Sequence, residues 1–183
     1  MYVLGISGSA RDGSLNTALL RSLSEFFPKD IEFEVVDNLS VLPLYDQVSE
    51  DENVPAYLAE LRYKVGRADA VILASPEHNY SFSASMKNAL DLLSRPRGQS
   101  VLAGRLVALV GAAPGLYGTV RAQAQLRQVL HATGAKVLDR PEIYVNQADS
   151  KFGCDGTLLD RSARELCAQL VETVCNSDVF VRW

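Results

Sequence analysis

The sequence lacks the features that support a disulfide framework, a nucleic-acid surface or a membrane span. Its three cysteines, Cys154, Cys167 and Cys175, are too few and too clustered for a framework, so we expect reduced thiols in a cytoplasmic protein. The formal net charge of −4 gives no basic face that would displace counterions from nucleic acid. The longest apolar stretches, such as residues 106–113, are far shorter than the roughly 20 residues of a membrane span. We therefore expect neither nucleic acid nor a membrane as a partner.

Several familiar functional motifs are also missing. The two histidines, His78 and His131, are far apart and no Cys/His spacing fits a zinc site, so no metal is expected. No GxSxG nucleophile elbow is present, which leaves hydrolysis without support. A phosphoacceptor receiver domain needs an aspartate at the end of its third strand, where this chain has Ser75. The N-terminal apolar residues end at Gly8 without a preceding basic region, so no signal peptide is expected.

What the sequence does contain is an alternation of strand and helix patterns. Short apolar runs predict strands, whereas apolar residues at helical spacing predict helices with one face in the core. Ser14 is a good N-cap for the first helix. The predicted strands span residues 2–7, 32–37, 70–75, 106–111 and 136–145, and the predicted helices span residues 14–27, 55–67, 82–93, 120–134 and 159–174.

This alternation predicts an α/β fold with a parallel sheet and helices on both of its faces. Five units in one domain of residues 1–183 fit a flavodoxin-like, doubly wound five-stranded sheet of order 2-1-3-4-5 in three layers. Ligands of such sheets bind beyond the carboxyl ends of the strands, at the point where the strand order reverses. The rule selects the loops of residues 8–16, 76–80 and 111–118.

The first loop, GSARDGSLNT, predicts an anion site at the start of a helix. It has no lysine for a P-loop, and its glycines have the wrong spacing for the dinucleotide fingerprint. One arginine with several hydroxyl and amide donors suits a terminal phosphate, which indicates a mononucleotide. The alternative is a polar turn that only caps the helix. The candidate phosphate ligands are Ser9, Arg11, Ser14, Asn16 and Thr17.

The other two loops carry groups that suit a flat heterocycle. PEHNYS at 76–81 offers backbone amides for ring atoms and His78 or Tyr80 to cover a ring face. GAAPGLYG at 111–118 is small enough for a planar ring to approach the backbone. The alternative for both loops is ordinary turn chemistry. Asp37 stands where a ribose-binding acid can occur, but without the glycines it is better explained as a turn or cap residue.

Taken together, the motifs resemble the NADPH-dependent FMN reductase family, which includes bacterial chromate and quinone reductases. The resemblance rests on GSARDGSLNT, on LPLYDQ at 42–47, on PEHNYSFSASMKNALD and on GAAPGLYGTVRAQAQLRQVL, and it spans residue 3 to about residue 145. It implies FMN as cofactor, with the phosphate on the first loop. The residues that it places at the isoalloxazine ring are Pro76, Glu77, His78, Asn79, Tyr80, Gly111 and Ala112.

The resemblance also implies an activity. It indicates an NAD(P)H-dependent oxidoreductase, with NADPH or NADH as donor, that reduces quinones, chromate or free flavin by ping-pong hydride transfer. It further implies a homodimer or homotetramer. The departures from the family pattern are His78 in place of an aromatic residue, Ser83-Ala84 in place of Pro-Gly, and alanines at 112 and 113. The alternative is a non-enzymatic flavoprotein that acts as an electron carrier or redox-responsive binding module.

Overall fold

The strands of the computed structural model, which describes residues 1–46 and 54–177, form one parallel sheet and one hairpin. Three central strands are buried along their whole length, as expected for a sheet covered on both faces. The strands are β1 (Tyr2–Ser7), β2 (Glu32–Val36), β3 (Ala70–Ala74), β4 (Glu77–His78), β5 (Ser81–Phe82), β6 (Leu106–Ala112), β7 (Lys136–Val137) and β8 (Ile143–Val145).

The sheet has the order β2-β1-β3-β6-β7, with β8 also paired to β6, which confirms the predicted 2-1-3-4-5 arrangement. The predicted fifth strand, however, is wrong as one continuous element. β7 pairs with the start of β6 at Leu106, whereas β8 pairs with its end from Val110 onward. Pro141 lies between the two pieces and has no N–H to donate to a ladder. The exposed Asp139 and Arg140 beside it also belong outside a buried sheet.

Among the described residues, five α-helices pack on the sheet, and four of them have bounds close to those expected. The first ends at Leu23, whereas the sequence predicted an end at residue 27. The five helices are α1 (Leu15–Leu23), α2 (Ala56–Arg67), α3 (Ala84–Leu93), α4 (Val120–Ala132) and α5 (Arg161–Cys175). Side-chain caps set three of the starts, because the oxygens of Ser14, Ser83 and Asp160 each accept a backbone N–H of the first turn. Phe82 therefore belongs to β5 and Leu159 precedes α5, where the helical spacing predicted both inside helices.

The core forms two clusters on opposite faces of the sheet. Helices α1 and α5 cover one face, where Leu19, Leu20 and Leu170 pack against Val3 and Ile72. Helices α2, α3 and α4 cover the other. This arrangement confirms the predicted three layers and leaves the carboxyl ends of β1, β3 and β6 at one common edge.

The sequence also predicts a solvated acidic surface at residues 50–52. These residues and the last residue of the LPLYDQ motif lie outside the described ones. Within residues 1–46 and 54–177, no helix is long and apolar enough to cross a membrane. The same residues contain no group of three or more His, Cys, Asp or Glu side chains that could hold a metal ion.

Candidate functional site

The three predicted loops meet at the carboxyl edge of the sheet and are hydrogen bonded to one another. The first loop begins at Gly8, whose N–H donates to the carbonyl of Ala74 at the end of β3 over 2.7 Å. The carbonyl of Gly8 accepts the hydroxyls of Ser83 and Ser85, at 2.6 and 2.9 Å. A Cβ on Gly8 would lie 2.8 Å from the Ser83 hydroxyl oxygen, so this close approach requires glycine. These contacts therefore fix the loop after β1 relative to the segment that follows β3.

Most of the polar side chains of the first loop are engaged within the protein. Ser14 is buried and caps α1 by accepting the N–H of Thr17. The hydroxyl of Thr17 lies 2.8 Å from that of Ser7, at the end of β1. The backbone N–H of Ser9 donates to the same Ser7 hydroxyl. These contacts fix the loop and leave the start of α1 pointing its unpaired N–H groups outward.

Arg11 differs from its neighbours in the loop. Its side chain is exposed and makes no hydrogen bond or ion pair within the described residues. It lines the rim of a cavity of about 740 Å³ beside the helix start. A guanidinium beside free helix N–H groups has the charge and the donors that suit a phosphate.

The opposite wall of this cavity is a segment that sequence reasoning missed. Residues 153–157 form a tight turn, in which Gly156 has φ +84 and Gly153 donates to the carbonyl of Thr157. The N–H of Thr157 donates to Asp155, and this bond holds the pKa of the Asp155 carboxyl below its usual range. The Gly-Cys-Asp-Gly composition was the available signal for a turn there. None of the residues at 76–80 or 111–112 lines this cavity, so it adjoins the first loop and not the other two.

Asn16 is turned toward the third loop. It is buried, and its Nδ2 donates to the carbonyl of Ala112 over 2.9 Å. Its Oδ1 accepts the N–H of the same Ala112 over 3.0 Å. The amide side chain therefore pairs with both backbone groups of one residue, and it links α1 to the end of β6.

The second loop is a hairpin formed by β4 and β5. Its two-residue connection, Asn79 and Tyr80, has φ values of +49 and +66, as two-residue hairpin loops require. His78, Asn79 and Tyr80 are exposed, whereas Pro76 is half-buried. The hairpin thus presents three of the predicted ring-bordering residues to solvent on a short, well-defined turn.

The Glu77 side chain joins this hairpin to α4. Its Oε2 accepts the N–H groups of Arg121 and Ala122 at 3.0 and 3.1 Å, and its Oε1 accepts the Arg121 guanidinium at 3.0 Å. Helix α4 has no side-chain cap of its own at Thr119. Glu77 therefore caps the helix from another element and compensates the positive end of its dipole.

Arg121 and Gln125 strengthen the same contact. The Arg121 guanidinium lies 4.3 Å from the ring centre of Tyr80 and 4.7 Å from that of Tyr117. Gln125 donates to the carbonyl of Tyr80 and accepts the hydroxyl of Ser81. The hairpin and the loop before α4 consequently share one anchored arginine.

Gly111 lies where the backbone of β6 passes close to the start of α4. A Cβ built on it would stand 2.1 Å from Oγ1 of the buried Thr119. Only glycine fits between the strand and this threonine. Because Ala112 and Ala113 follow, a planar ring can approach the backbone here without meeting a large side chain.

The residues of the site have the chemistry that FMN requires. An unpaired arginine and free helix N–H groups at the first loop suit a phosphate. At the other two loops, Glu77 ties the hairpin to α4, and Asn16 ties the small residues at the end of β6 to α1. The structure thus brings the three predicted loops together, although Glu77 and Asn16 direct their side chains into protein contacts.

Comparison with known proteins identifies the same family as the sequence motifs. Residues 1–150 match the family model described as NADPH-dependent FMN reductase. The chain is 39% identical over 172 residues to an NAD(P)H-dependent FMN reductase of Pseudomonas aeruginosa, which covers 94% of this chain and 92% of that protein. It is 34% identical over 175 residues to a quinone reductase of Escherichia coli K12, with 92% and 93% covered. FerB, a flavoenzyme NAD(P)H:(acceptor) oxidoreductase of Paracoccus denitrificans, superposes with a TM-score of 0.85 at 29% identity, over 94% of each chain.

These findings confirm the expectations drawn from the resemblance of the motifs. The fold, FMN as cofactor, NAD(P)H as electron donor and an oxidoreductase activity all agree with them. The roles of individual residues remain predictions. The chain belongs to the NADPH-dependent FMN reductase family.

Proposed function

We propose that this protein takes electrons from NAD(P)H and delivers them to a small quinone, with FMN bound across the three loops. The observation that carries the proposal is the meeting of a phosphate-type helix start with a hairpin and a small-residue loop at one sheet edge. The names of the relatives support the acceptor class, since one of them is a quinone reductase. The proposal also includes chromate and free flavin as electron acceptors.

Each loop has a separate role in this proposal. Arg11, Ser9 and the N–H groups at the start of α1 hold the phosphate, with Ser14 and Thr17 fixing the loop beneath it. The backbone at 76–80 and at 111–113 borders the ring and orients it. When bound, FMN supplies the hydride-accepting chemistry, so the protein needs no dedicated nucleophile or general acid. This explains why binding loops occur here without a hydrolytic motif.

We propose further that donor and acceptor use the same open face in turn. The side of the hairpin that carries His78, Asn79 and Tyr80 is exposed, and an open depression of about 490 Å³ adjoins Glu77, Asn79 and Tyr80. One shared position gives a ping-pong mechanism, in which oxidised nicotinamide leaves before the quinone enters.

Steady-state kinetics with NADPH and a benzoquinone test this proposal. Parallel lines in double-reciprocal plots over both substrates are the expected result. Lines that intersect with every acceptor would instead require a ternary complex and would exclude the shared position. FMN-loaded protein that NADPH reduces but no quinone, chromate or free flavin reoxidises would favour the electron-carrier alternative.

The assembly and setting are proposals of the same kind. We propose a homodimer or homotetramer of single-domain subunits, supported by the exposed apolar side chains of Tyr80, Leu116 and Tyr117 beside the site. A cytoplasmic location is supported by the dependence on NAD(P)H and by the free thiols of the cysteines.

A further inference from the structure

We propose that Asn16 is a positioning residue for the ring, acting through Ala112, and that it is not a ligand of the phosphate. The inference rests on the proposed FMN site and deepens it. It concerns a side chain that the sequence motif assigns to the phosphate end and that the structure directs to the loop at the ring end.

The geometry leaves one orientation for the Asn16 amide. Its Oδ1 faces the Ala112 N–H and its Nδ2 faces the Ala112 carbonyl, so a flipped amide would place donor against donor and acceptor against acceptor. The side chain is only 4% exposed. A buried amide that satisfies two backbone groups at once is costly to redirect, because both backbone groups would lose a partner.

Ala112 is the last residue of β6, so the third loop starts from it. Its N–H and carbonyl both pair with Asn16, and its register partner on the neighbouring strand β8 is Val145. The next residue, Ala113, donates its N–H to the carbonyl of Val145 and begins the loop that borders the ring. Asn16 therefore holds, from α1, the residue at which this loop leaves the sheet.

The side chains nearest to Asn16 in sequence behave differently. Ser14 and Thr17 make contacts within the first loop and its own strand. Asn16 alone among the five predicted phosphate ligands reaches the β6 end, 96 positions along the chain. A change at Asn16 is thus expected to disturb the ring end, whereas a change at Arg11 is expected to disturb the phosphate end.

Riboflavin separates the two roles, because it carries the ring without the phosphate. Binding of FMN and of riboflavin to apoprotein is measured by flavin fluorescence for the wild type, Asn16→Ala and Arg11→Ala. We expect Asn16→Ala to weaken both ligands by about tenfold or more. Arg11→Ala should weaken FMN by roughly ten- to a hundredfold and leave riboflavin within about twofold. Leu23→Ala, a core change in the same helix, controls for lost stability alone.

Asn16→Asp adds a second readout. As a carboxylate it still accepts the Ala112 N–H, but it places negative charge against the Ala112 carbonyl, where the asparagine has a donor. Riboflavin affinity should therefore fall by about tenfold or more in Asn16→Asp at pH 8, although riboflavin has no phosphate for the new charge to repel.

The outcomes distinguish the two proposals. If Asn16→Ala weakens FMN and spares riboflavin, or if Asn16→Asp leaves riboflavin affinity within about twofold of the wild type at pH 8, the positioning role is overturned. If Arg11→Ala weakens FMN and riboflavin equally or not at all, the phosphate site of the proposed function fails, while the riboflavin data still decide the role of Asn16. Should Asn16→Ala be poorly folded by circular dichroism, riboflavin and FMN binding by Asn16→Asp at pH 8 decides the question alone.

Discussion

At the scale of residues, the polar side chains of the first loop differ in whether other parts of the protein contact them. Ser14 is buried as a helix cap, whereas Arg11 is exposed and has no partner within the described part of the chain. Arg11→Ala should therefore weaken FMN by about 1.5–3 kcal/mol, the range for hydrogen bonds to charged groups, and leave the free energy of unfolding nearly unchanged. Ser14→Ala should instead lower the free energy of unfolding of the apoprotein by about 1 kcal/mol, because the helix loses its cap.

Urea unfolding of both apoproteins, beside FMN titrations, checks this pair of predictions. Equal FMN affinity in Arg11→Ala and the wild type would remove the phosphate from this loop. An apoprotein of Ser14→Ala as stable as the wild type would show that the cap contributes nothing.

Gly111 gives a second prediction at this scale. Because a Cβ there would stand 2.1 Å from Thr119 Oγ1, Gly111→Ala must shift the strand or the buried threonine. We expect the free energy of unfolding to fall by about 1–3 kcal/mol, as in other overpacked sites. Gly115→Ala is the matched control in the same loop, since nothing lies within 4 Å of a Cβ at that position. Similar unfolding midpoints for the two variants would contradict the steric argument.

At the scale of elements, the sequence predicted what depends on local pattern and missed what depends on contacts between elements. The apolar runs predicted β1 and β3 almost to the residue because these strands are buried on both faces. The hairpin of β4 and β5 was not predicted, because two-residue strands carry no periodicity. The Glu77 cap on α4 was equally invisible, since its partners lie 44 and 45 positions away.

Glu77 allows a prediction on the joint between hairpin and helix. Glu77→Ala removes the acceptor for two backbone N–H groups and for Arg121, so we expect the free energy of unfolding to fall by about 1–2 kcal/mol. Glu77→Gln should lose less, because its amide oxygen still accepts the backbone N–H groups. Urea unfolding measures both, with Glu165→Ala as the control for an exposed ion pair on α5. Glu77→Ala with wild-type stability would show that the cap is irrelevant.

The contact between β2 and α2 gives a pH prediction. Glu34 accepts Lys64 Nζ at 2.8 Å and the Tyr2 hydroxyl at 2.6 Å, and chiefly the lysine holds the pKa of Glu34 below its usual 4.5. A lowered folded-state pKa adds stability above pH 4.5 that disappears as the pH falls through the folded value. Glu34→Gln should thus cost at most about 1 kcal/mol at pH 7, because the pair is partly exposed. The difference in urea midpoint between Glu34→Gln and the wild type should shrink as the pH falls below 4.5, and a difference that stays constant from pH 7 down to pH 2 would refute the assignment.

At the scale of the whole molecule, the three candidate loops meet because the carboxyl ends of β1, β3 and β6 share one edge of the sheet. The helices packed on each face then determine which other segments lie next to these loops. The strand order could be predicted because alternating strand and helix patterns admit few topologies. Loop 153–157 could not, since its place opposite the first loop depends on how α5 packs over α1. The cavity beside the first loop is consequently lined by α1, by residues 153–157 before α5 and by residues after β2, whereas the hairpin is tied to α4 in the other layer.

The last prediction concerns assembly through the hairpin and α4 side of the molecule. Tyr80, Leu116 and Tyr117 are each more than 60% exposed, and Arg121 lies against both tyrosine rings, so they form one apolar surface beside the ring end of the site. Exposed apolar clusters of this kind mark contacts with other chains. We expect light scattering to give a multiple of the 20.0 kDa chain mass, and Tyr117→Glu to shift it toward the monomer. Leu159→Glu, an equally exposed residue just before α5, should leave the mass unchanged. A wild-type mass of one chain, or equal masses for Tyr117→Glu and the wild type, would exclude this surface as the contact between subunits.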